Sequence, residues 1–144
     1  MGQHILVPVD GSEEAEQALE YALNERPDPA VTLLHVVNPV NTFGYGDDEY
    51  FDVESYWAEA RRQHERGERL LEEYRETAAD RGIEAETALR TGSPAREILA
   101  AVEELGVDHV VMGSRGRSGV GRVLFGSVAE AVTRRASVPV TIVR

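Results

Sequence analysis

The residues with most chemistry to offer lie together near the end of the chain, in Gly113-Ser-Arg-Gly116-Arg-Ser-Gly119-Val-Gly121-Arg-Val-Leu-Phe-Gly126-Ser127. Glycine has no Cβ, so backbone N–H groups in such a stretch can close on a phosphate without a clash. Arg115, Arg117 and Arg122 supply planar guanidinium forks that match phosphate oxygens. A helix starting at Gly126-Ser127-Val128 would add free N–H groups and a favourable dipole for an anion. The Ser127 hydroxyl can donate to the same oxygens or ligate a phosphate-bound Mg²⁺. A turn whose glycines only reverse the chain is the competing reading. A preceding strand, a following helix and the local positive charge weigh toward phosphate binding. The stretch is not a P-loop, which needs a lysine that the chain lacks. Nor is it a dinucleotide fingerprint, which belongs after the first strand, where this chain has Asp10-Gly11-Ser12.

Other candidate groups carry less. Asp10 follows an apolar run and precedes Gly-Ser, a pattern equally at home in an Asx-turn and in a ligand contact. His4, His35, His64 and His109 show no i, i+4 pair, which argues against a zinc site, and His109 reads as a strand-face residue. No Gly-x-Ser-x-Gly elbow occurs, so serine-hydrolase chemistry is not indicated. Glu13-Glu14, Glu72-Glu73 and Glu103-Glu104 fall on expected helices and read as solvated faces. The chain has no cysteine, which removes disulfides, thiolate nucleophiles and zinc–cysteine sites. All 15 basic residues are arginine, which removes Schiff-base and general-base lysines as well.

The elements that must position these groups alternate along the chain. Ile5–Val9 and Val31–Val37 read as buried strands, 83–90 as a strand nearer an edge, 108–112 as a buried strand and 138–143 as the last strand. Helices are expected near 13–25, capped by Ser12, over about 54–81, ended by Gly82, from Ser93-Pro94 to Gly106, and from a Ser127 cap to about Ala136. Leu70, Leu71, Tyr74 and Ala78 lie at helical spacing and belong to the core. Such β-α alternation requires an α/β domain over residues 1–144, a doubly wound parallel sheet with helices on both faces. Ligands bind beyond the carboxyl ends of strands in these sheets. Pro8-Val9-Asp10-Gly11, His35-Val36-Val37-Asn38 and Met112-Gly113 are thereby brought to one crevice. Residues 38–52 form a long acidic loop; its aromatics Phe43, Tyr45, Tyr50 and Phe51, with Tyr56 and Trp57, pack locally, form a lid over the cleft or make a contact surface.

The 144 residues have 42% hydrophobic and 28% charged side chains, enough apolar surface for a core. The net charge of −11 is uneven: residues 1–110 hold 9 arginines against 25 acids, residues 111–144 hold 6 against Glu130 alone. An acidic body argues against nucleic-acid binding, whereas its positive segment suits a small anion. No apolar run approaches membrane-spanning length, and the N-terminus lacks the pattern of a signal peptide, so a cytoplasmic protein is expected. High acidity without lysine also fits a halophilic source.

The spacing Gly113-x2-Gly116-x9-Gly126-Ser127 resembles the nucleotide motif of the ATP-binding branch of the universal stress protein family. Ile5–Ser12, His35-Val36-Val37, Gly92-Ser93-Pro94 and Val138-Pro139-Val140 resemble that family's other segments in order. The resemblance implies a five-stranded sheet of order 3-2-1-4-5, like that of the adenine nucleotide alpha hydrolases, with ATP in the switch-point cleft. By position it puts Pro8, Val9, Asp10 and the Val36 backbone at the adenosine part and Met112 and Gly113 beneath the ribose. Arg115, Gly116, Gly126, Ser127 and Val128 are then placed at the phosphates, with Mg²⁺ or Mn²⁺ accompanying the nucleotide. It further implies a homodimer formed through strand 138–143, whose apolar character suits edge pairing. The function expected is a stress-response switch driven by nucleotide state, with at most slow hydrolysis and no catalytic residue assigned. Two alternatives stand beside it: a nucleotide-cleaving or adenylyl-transferring enzyme of a related fold, and an interaction protein with a vestigial pocket.

Overall fold

The computed structural model describes residues 3–25, 28–38, 53–114 and 126–144. Aliphatic runs too short for helices form five strands: β1 (His4–Pro8), β2 (Ala30–Val37), β3 (Glu86–Thr91), β4 (His109–Gly113) and β5 (Val140–Val143). They pair in parallel in the order β3-β2-β1-β4-β5, as the resemblance implies. Ile5 of β1 stands beside Val31 on one side and His109 on the other.

Successive residues of a strand point to opposite faces, so the sheet sorts its own side chains into two cores. Ile5, Val7, Val31, Leu33 and Val111 pack beneath α1 (Glu13–Leu23) and α2 (Val53–Asp80). Leu6, Leu34, Val110 and Met112 pack beneath α3 (Pro94–Leu105) and α4 (Ser127–Arg135). Each fully buried Leu, Ile or Val contributes about 1.5–3 kcal/mol. In α2 the buried residues are Gly67, Leu71, Tyr74 and Ala78, one stripe at helical spacing.

Local signals define most ends. The Ser12 side chain accepts the Ala15 N–H at 3.1 Å, and Glu13, Glu14 and Glu16 complement the dipole of α1. Gly106 closes α3 in the left-handed conformation with φ 62°. Three expected boundaries move. The strand expected at Ile83 begins at Glu86, because Gly82 and Ile83 donate back to Ala79 and Ala78 and finish α2 as a Schellman turn. The last strand starts at Val140; Pro139 has no N–H to pair, although its carbonyl accepts from Val110 at 3.0 Å. Gly126, not Ser127, caps α4, since the Glu130 N–H bonds to the Gly126 carbonyl at 3.0 Å. The expected loop 38–52 lies outside the described residues beyond Asn38. No described helix is long and apolar enough to cross a membrane.

Candidate functional site

β1 lies between β2 and β4, and the crossovers leaving β1 and β4 go to opposite faces of the sheet. α1 and α4 therefore diverge from the carboxyl ends of adjacent strands and leave a cleft there. Pro8, Val9 and Asp10 lie at or just past the carboxyl end of β1, Val36 near that of β2, and Met112 and Gly113 at that of β4. Gly126, Ser127 and Val128 make the cap and first turn of α4. Of the expected site residues, Arg115 and Gly116 lie outside the described residues, as do Arg117 and Arg122 and the aromatics Phe43, Tyr45, Tyr50 and Phe51.

The turn after β1 is tightly specified. Asp10 accepts the Ser12 N–H on Oδ1 at 2.9 Å, so the Asx-turn reading of this residue is present in the structure. Gly11 adopts φ 84°, a conformation that side-chain-bearing residues rarely take. Val9 and Met112 are buried, whereas Ser127 is exposed and Pro8, Val36 and Val128 are half-buried. Gly113 has a packing reason that the sequence did not reveal. A Cβ there would lie 2.7 Å from Glu14 Cβ and 2.9 Å from the Glu14 carbonyl carbon, so its absence lets α1 press against the end of β4.

Ser114 is a residue that sequence reasoning missed. It is buried, its N–H donates to the Val143 carbonyl at 2.8 Å, and its carbonyl accepts the Gly126 N–H at 2.6 Å. These bonds close the glycine-rich segment at its neck and bring the start of α4 to the end of β4. The first intrahelical bond of α4 uses the Glu130 N–H, so the Ser127, Val128 and Ala129 N–H groups have no intrahelical acceptor. No side chain caps this end among the described residues. An anion is the natural complement of such a terminus.

The histidines fall into structural pairs. His4 Nε2 meets Thr32 Oγ1 at 2.8 Å and His109 Nε2 meets Thr141 Oγ1 at 2.7 Å. His35 instead donates from Nδ1 to the Val9 carbonyl at 2.8 Å, directly beside the cleft. Among the described residues no group of three or more His, Cys, Asp or Glu could hold a metal ion. Trp57 is exposed and stands edge-on to Tyr56, with centroids 5.4 Å apart.

The order β3-β2-β1-β4-β5 is that of a doubly wound α/β sheet, with its switch point between β1 and β4. The sequence model of the universal stress protein family matches residues 1–144, and the chain belongs to that family. It is 36% identical to universal stress protein YxiE of Bacillus subtilis over 148 aligned residues, covering 100% of both chains. The solved structure of the protein MJ0577 superposes with a TM-score of 0.83 at 29% identity, covering 99% of this chain and 96% of that one. The same fold is found in a family member from Arabidopsis thaliana solved with AMP bound, at TM-score 0.69, 22% identity and coverage of 98% and 90%. A universal stress protein in complex with cAMP shares it at TM-score 0.69 and 21% identity, covering 99% and 97%.

Proposed function

We propose that this chain is an ATP-binding universal stress protein that works as a homodimeric, nucleotide-dependent switch with at most slow ATP hydrolysis. The observation that carries the reading is the Ser114–Gly126 bond, which sets three N–H groups of α4 without intrahelical acceptors at the carboxyl end of β4. Related folds holding AMP and cAMP support an adenine nucleotide as the ligand.

In this reading Pro8, Val9, Asp10 and the Val36 main chain hold the nucleoside, with Met112 and Gly113 beneath the ribose. Gly126, Ser127 and Val128, with Arg115 and Gly116, hold the phosphates. The residues present fit the group: α4 offers main-chain donors, and Gly126 adds no side chain at its cap. Mg²⁺ or Mn²⁺ arrives with the nucleotide, neutralising its phosphate charge, and the exposed Ser127 hydroxyl is the protein's contribution to holding it. Dimerisation through 138–143 is favoured because β5 is an edge strand, half-buried along Val140–Val143.

Calorimetric titration with ATP and Mg²⁺, in low and in molar KCl, tests this beside Gly126→Asp. The expected result is saturable binding that the variant loses, because its carboxylate takes the phosphate position. No binding by the wild-type protein in either salt refutes the proposal.

A further inference from the structure

The end of β1 departs from regular pairing in a way that involves a side chain. The Val9 N–H continues the ladder to the Leu34 carbonyl at 2.8 Å, but the Val9 carbonyl is taken by His35 Nδ1, also at 2.8 Å. The Leu34 carbonyl faces β1, and two residues on the Val36 amide and carbonyl face the same side. In an uninterrupted parallel ladder the Val36 N–H would bond to the Val9 carbonyl. With the imidazole holding that carbonyl, β1 ends at Pro8, the chain turns through Asp10-Gly11, and the pairing of β1 with β2 stops short of Val36.

α2 is shaped around the same ring. Gly67 is a buried glycine inside a 28-residue helix, where glycine is intrinsically unfavourable. A Cβ at this position would come within 2.8 Å of His35 Cδ2 and 2.9 Å of Leu89 Cδ1. Gly67 thus gives the imidazole its place between α2 and the sheet. With Nδ1–H as donor, the ring has one orientation in which it meets Val9.

We propose that His35 is a positioning residue for the nucleoside end of the site. By holding the Val9 carbonyl away from Val36, it leaves the Val36 main chain available to an adenine-type base and sets the angle at which Asp10 enters the cleft. This role rests on the nucleotide-binding reading above and names the residue that shapes its nucleoside half.

The test is titration of the whole protein with ATP and, separately, with AMP, beside thermal unfolding of each variant. His35→Leu keeps the branching at Cγ and most of the volume but has no donor, and it should weaken both nucleotides by about tenfold. His35→Asn keeps a donor near the Nδ1 position but leaves space under α2. It should bind within about threefold of wild type while being the less stable of the two. Gly67→Ala leaves His35 intact but crowds its ring, and should weaken both nucleotides in the same direction. Affinities that follow stability, with His35→Asn the poorer binder, overturn the role, as does unchanged binding by His35→Leu. A loss confined to ATP also overturns it, because the effect would then lie at the phosphates. Wild-type protein that binds neither nucleotide overturns the nucleotide reading itself, and the role of His35 with it.

Discussion

Tyr74→Phe isolates a single buried atom. The Tyr74 side chain is only 6% exposed and its hydroxyl has no hydrogen-bond partner. It lies near the Gly11 backbone, without the alignment of a hydrogen bond. Burial, reinforced by the negative charges of Glu16 and Asp10, pushes its ionisation up to about 12, from the ordinary 10.0. The folded protein therefore keeps this proton at pH values where the unfolded chain gives it up. The stabilisation is fully present below pH 10, falls through the interval from 10 to 12, and is then lost. Two units at about 1.4 kcal/mol each bound the loss near 3 kcal/mol. Phenylalanine removes this term and also the cost of burying an unpaired hydroxyl, about 1–3 kcal/mol. The variant should be at least as stable as wild type at pH 8, and its advantage should widen above pH 10. Urea unfolding followed by circular dichroism at pH 8, 9.5 and 11 measures both effects. Absorbance at 295 nm should show a late-titrating tyrosine component in wild type that the variant lacks. A variant about 1 kcal/mol less stable at pH 8, with no divergence at alkaline pH, would refute the reasoning and assign the hydroxyl a partner.

Two further outcomes follow from close contacts and caps. Gly113→Ala forces a Cβ to within 2.7 Å of Glu14, so α1 must shift; urea unfolding should show a loss of about 1–3 kcal/mol. Ser12→Ala removes the acceptor of the Ala15 N–H and should cost about 1 kcal/mol by the same measurement, with a matching loss of amide protection at Ala15.

The sheet was legible because its strands are short aliphatic runs separated by amphipathic helical stretches, a pattern that admits few arrangements. Boundaries failed where backbone groups had a second use. Ile83 looks like strand by type, yet its N–H completes the end of α2. Ser127 looks like a cap by type, yet the helix begins one residue earlier and leaves the serine exposed. The strand ends at the switch point were legible through residues at or just past them, such as Asp10 and Gly113. Their supports were not: Ser114 acts through its main chain, which residue type does not encode. His35 acts through a partner 26 residues away, and Gly67 through an atom it lacks. Gly113 has a second use that residue type does not encode, since the space its missing Cβ leaves is taken by Glu14 of α1.

The neck at Ser114 and Gly126 also bears on how this fold tolerates change. Ser114 and Gly126 are anchored to each other, and Ser114 in turn to Val143, so main-chain bonds tie β4, β5 and the start of α4 together. Loop-closure cost rises only slowly with length. The main-chain bonds at Ser114 and Gly126 therefore fix where a chain of any length between them must leave β4 and enter α4.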